Sequence, residues 1–210
     1  KIGANVPLID HHCHGVVPEN LTAEQFEDAL SEAFAPAPAG TSHWDKPVAL
    51  SIRRWCAPML DLPKFAAPED YFARRQELGA VEVNKRFLRA AGFEMLLVDS
   101  GNRPEELCSV EELGVIADVP TREVVRMESV AERVAETSGV TAAGYADAFE
   151  AALRASLHNN VAGLKTVVAY RSTLAIDYAP PGAGEVARAA GDWLAEVERT
   201  GAARITDQVL

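Results

Sequence analysis

The stretch LIDHHCHG, Leu8 to Gly15, joins an apolar run to three histidines within four positions. Side chains alternate across an extended chain, so His12 and His14 project to one side and His11 and Cys13 to the other. Two imidazoles spaced in this way can grip one ion. Zinc, iron and manganese all accept neutral imidazole, and three or four protein ligands with an open position suit the activation of water. The sequence therefore predicts a strand over Val6–Ile9 that delivers His12 and His14 at its C-terminal end.

Working outward, three more short apolar runs rich in β-branched or large aliphatic residues read as strands: Phe93–Val98, Glu123–Met127 and Leu164–Ala169. They lack strict alternation, as strands buried on both faces of a parallel sheet do. Each is entered from a helix-like stretch, which is the α/β signature. About eighty residues separate the first two strands, far more than a crossover needs, so residues 20–91 read as a helical insertion. Its helices are predicted in LTAEQFEDALSEAF, KPVALSIRRWCAPML, PEDYFARRQELG and VEVNKRFLRAAG. Thr22 with Gln25 and Ser109 with Glu112 have the spacing of capping boxes. Further helices are expected in SVEELGVIADV, SVAERVAET, TAAGYADAFEAALRASLHN and GEVARAAGDWLAEVERTG.

With 20 Lys and Arg against 31 Asp and Glu, the 210 residues carry a formal charge of −11, which disfavours nucleic acid as a partner. No apolar run approaches the ~18 residues of a membrane span. Three widely spaced cysteines give neither a disulfide framework nor a zinc knot, so a reducing cytoplasm is expected. No GxGxxG, GxxxxGK[ST] or GxSxG motif is present. A small-molecule substrate and self-association as a homo-oligomer are the expected partnerships.

Apolar strand followed by Asp10-x-His12-x-His14 resembles the end of the first strand in the amidohydrolase superfamily of metal-dependent hydrolases. More narrowly, DHHCHG and the later GLKTVVAYRSTL resemble the amidohydrolase-2 branch, including nodulin-like domains fused to glutamine-synthetase-like proteins. The resemblance implies a (β/α)8 TIM-type barrel with metal and substrate at the C-terminal ends of the strands, and His12 and His14 as ligands. It implies a divalent metal, zinc first, with manganese or iron as alternatives. Such a barrel typically takes ~250 residues. Only about four strand-helix units are present, so residues 1–210 are expected to be the N-terminal half of a longer enzyme, inactive alone, with 20–91 as a lid over the barrel mouth.

The other strand ends offer further candidates. Asp99 suits a turn or N-cap, and Glu128, the candidate catalytic residue of this half, suits orientation of a ligand, a second metal or substrate positioning. Tyr170 and Arg171 are read as substrate-binding, with Arg171 as a carboxylate clamp. Lys165 is a conditional metal ligand, because some branches of the superfamily carbamylate a strand-four lysine to bridge two metals. Placed near the start of its run, it is predicted about 20 Å from Arg171, so only one of the two belongs to a metal centre. His11 is expected in the scaffold, His43 and Trp44 in the lid, His158 at a helix C-terminus, and Cys13 as a small buried residue. The activity expected is hydrolysis of amide or related C–N bonds. The alternatives are a non-oxidative decarboxylase of the same superfamily and a catalytically silent scaffold.

Overall fold

Two of the helices begin at side-chain caps. Gln25 N–H donates to Thr22 Oγ1 at 3.2 Å while Thr22 N–H donates to Gln25 Oε1 at 2.9 Å, which opens helix α1, Ala23–Asp28. Ser109 and Glu112 make the same reciprocal pair ahead of α5, Val110–Ala117. Each satisfies two backbone donors that a helix start otherwise leaves open, typically worth ~1 kcal/mol. The computed structural model describes residues 6–32, 36–177 and 179–210. The predicted extension of α1 to Ala33 and Phe34 lies outside the described residues.

The chain divides into two compact units, residues 1–98 with 102–121, and residues 99–101 with 122–210. In the first, strand β1, Leu8–Cys13, pairs parallel with β2, Phe93–Asp99, with Cys13 opposite Val98. Between them run α2, Pro47–Trp55, α3, Pro68–Leu78, and α4, Ala80–Ala91. Pro58 turns the end of the second predicted helix into a 3-10 turn over Ala57–Leu60. Gly92 ends α4 in the left-handed region at φ 70° and releases the chain into β2. This segment has its own core of Phe26, Ala49, Leu60, Tyr71 and Val83, while Leu96, Val98, Val110 and Leu113 form a second one between β2 and α5.

In the second unit, β3, Thr121–Arg126, pairs parallel with β4, Val161–Lys165, with Arg126 opposite Lys165. Helices α6, Met127–Ala135, α7, Tyr145–Ser156, and α9, Ala183–Thr200, close around Ala131, Val134, Tyr145, Ala190 and Trp193. Tyr145 packs edge-on against Trp193 at 5.6 Å and donates its buried hydroxyl to the Ala131 carbonyl at 3.1 Å. No helix among the described residues is long and apolar enough to cross a membrane.

Three strand expectations are corrected. β1 runs through the histidines to Cys13 instead of ending at Ile9, and Leu8 and Ile9 are exposed instead of buried on both faces. β3 ends one residue earlier than predicted, because Met127 already begins α6. β4 precedes most of its apolar run: it ends at Lys165, and Val168–Arg171 coil into a single helical turn, α8. Glu128 sets that end, accepting hydrogen bonds from Thr166 Oγ1 and, at 2.8 Å, from Val167 N–H.

Candidate metal centre

Extended backbone on either side of Cys13 brings the rings of His12 and His14 to one side, 5.1 Å apart and nearly perpendicular at 78°. Cys13 goes to the other side, where its Sγ lies 3.6 Å from the Leu97 carbonyl. Burial there, with the Asp10 charge adding to it, pushes the Cys13 thiol up to about 11. A protonated thiol turned away from the imidazoles is no competitor as a ligand. Asp10 accepts from His12 N–H at 3.2 Å, which ties down the strand end that carries the rings.

Gly15 has a steric reason for following the motif. A Cβ there would sit 2.3 Å from the Cys108 carbonyl oxygen, because the chain leaving β1 is drawn against residues 107–108 by Cys108 N–H donating to Val16 O at 2.9 Å. Only glycine permits so close an approach.

Asp99 is the last residue of β2, directly after the Val98 that faces Cys13. It is fully buried and lies 2.6 Å from Arg126 Nη2 and 3.0 Å from Lys165 Nζ, while its other oxygen accepts from Gly101 N–H at 3.0 Å. Burial opposes its charge, but the hydrogen bonds from Arg126 and Lys165 outweigh burial and hold the carboxyl below its ordinary value. Gly101 makes room for this arrangement, since a Cβ on it would fall 2.6 Å from Arg126 Cβ.

His12 and His14 thus offer two imidazole nitrogens on one side of β1, a donor pair that suits zinc, manganese or iron.

The remaining candidates fall elsewhere. Lys165 ends β4 instead of beginning it and reaches Asp99, which corrects the expectation that it stands far from the strand ends. Arg171 lies in α8 with Nη1 3.0 Å from Glu132 Oε1, so its guanidinium is engaged inside the fold. Tyr170 is 86% exposed. Glu128 is buried in the first turn of α6. His11 is exposed and not in the scaffold interior, while His43 is buried beside α1, its N–H donating to Glu27 at 2.9 Å. His158 lies beyond α7 and meets Glu123 at 2.8 Å; its Nδ1 accepts from Asn160 N–H, so the Nε2 proton faces the carboxylate. Trp44 packs with Phe26 and Tyr71. Sequence reasoning gave Asp99 only a turn role and passed over Arg126, whose one signal is a cation in the last position of an apolar strand.

No family model matches the chain, and no curated protein matches it. A crystal structure of a presumptive metal-dependent hydrolase from Lactobacillus casei ATCC 334 is similar in fold over 98% of this chain and 52% of its own length, with a TM-score of 0.68 and 23% identity. The chain thus spans about half the length of that structure.

Proposed function

We propose that this chain carries part of the active centre of a metal-dependent hydrolase, with His12 and His14 among the ligands of one divalent ion. The observation that carries the reading is the pair of imidazoles on one side of β1, at the end of a strand that lies parallel to its neighbour. The fold likeness to the Lactobacillus casei protein supports it. On this reading the four strands begin a (β/α)8 barrel of amidohydrolase type whose mouth is covered by residues 20–91, in the cytoplasm, as part of a homo-oligomer.

When bound, the ion supplies Lewis acidity that activates water and polarises the scissile carbonyl of an amide or related C–N substrate. The chain's own residues do the positioning. Asp10 steadies the strand end that carries the imidazoles. Within the second unit, Arg126 and Lys165 fix the rotamer of Asp99.

Elemental analysis of the chain after zinc loading and dialysis tests the proposal. About one ion per chain is expected, lost in His12→Ala and in His14→Ala and kept in Lys165→Ala. A wild-type chain that retains no ion would overturn the metal reading, and two ions that collapse in Lys165→Ala would overturn its one-metal form.

A further inference from the structure

A cavity of about 370 Å³ opens within the second unit, in the size range of small-molecule sites. Phe149, Val168, Ile176 and Ile205 give it an apolar lining, and Glu128 stands in its wall. Glu128 is nine-tenths buried, and its two oxygens differ. Oε1 accepts from Thr166 Oγ1 and from Val167 N–H, which locks the side chain. Oε2 is equally buried and has no hydrogen-bond partner. A buried carboxylate oxygen without a donor is costly, and such groups are rare in folded proteins, so each calls for a partner.

The nearest cation in the lining does not answer it. Arg171 is held by Glu132, whose Oε1 also accepts from Ile205 N–H at 3.1 Å. What would satisfy Oε2 is therefore a group that enters the cavity with N–H donors and positive charge, followed by an apolar body that fills the rest.

We propose that this cavity is a binding site for a small organic ammonium compound, its nitrogen on Glu128 Oε2 and its hydrocarbon part against Phe149, Val168 and Ile205. The site goes beyond the hydrolase reading and needs no metal, so it is expected to fill equally with a chelator present. Glu128 acts here as the recognition residue; its attachment to residues 166–167 pre-orients the carboxylate.

Isothermal titration of the chain with n-pentylamine hydrochloride, in buffer containing a chelator, tests this. Saturable binding is expected for the amine, with 1-pentanol and pentanoate at least tenfold weaker. Glu128→Gln should weaken the amine at least tenfold while keeping the fold, because the amide oxygen still accepts from Thr166 and Val167. Ile176→Trp, which enlarges a lining side chain on a loop, should abolish binding. Absence of saturable amine binding in the wild type, equal affinity in Glu128→Gln, or undiminished binding in folded Ile176→Trp would each overturn the proposal.

Discussion

The end of β1 and the end of β3 both deliver ionisable side chains, but they are anchored in different ways. At β1 the imidazoles of His12 and His14 are presented by backbone geometry: alternation fixes their side, Asp10 steadies the strand end, and Gly15 lets the chain turn away. At β3 the side chains hold one another. Arg126 grips Asp99, and Glu128 grips residues 166 and 167. The first arrangement presents ligands at little structural cost, whereas the second makes the fold depend on its charged groups. Substitutions at β1 should therefore cost metal and spare the fold, and substitutions at β3 should cost the fold.

The largest effect is expected at the imidazoles. His12→Ala and His14→Ala should each weaken zinc binding by more than the 10–100-fold typical of outer-shell changes, with thermal unfolding nearly unchanged, as read by competition titration and calorimetry. A large fall in unfolding temperature would break the comparison from the β1 side. Next comes Arg126→Met, which leaves a buried carboxylate with only part of its compensation. Breaking such a pair costs about 3–5 kcal/mol, which for a chain of this size lowers Tm by roughly 6–20 °C. Glu128→Ala removes the acceptor for Thr166 and Val167 and should cost about 1–3 kcal/mol in denaturant unfolding, more than Glu128→Gln. If the two variants unfold alike, Glu128 does not set the end of β4. The smallest effect belongs to Cys13→Ser, since a thiol held to about 11 and turned away from the imidazoles should leave zinc affinity within about twofold.

Local chemistry was legible in the sequence and distant pairing was not. The two capping boxes, the glycine ending α4 and the shared side of His12 and His14 depend on neighbours within a few residues, and periodicity finds them. The end of β4 depends on Glu128, some forty positions away, so the apolar run through Ala169 read as strand where the chain in fact turns into α8. Asp99 shows the same limit: its turn bond to Gly101 is local, but its ion pairs reach Arg126 and Lys165 on two other strands.

X-ray absorption at the zinc edge of the loaded chain tests the central claim most directly. The account predicts two imidazole nitrogens and oxygen ligands at about 2.0–2.2 Å, with the histidine scattering halved in His14→Ala. A sulfur shell near 2.3 Å, or zinc scattering without imidazole that is unchanged by loss of His12 and His14, would contradict it.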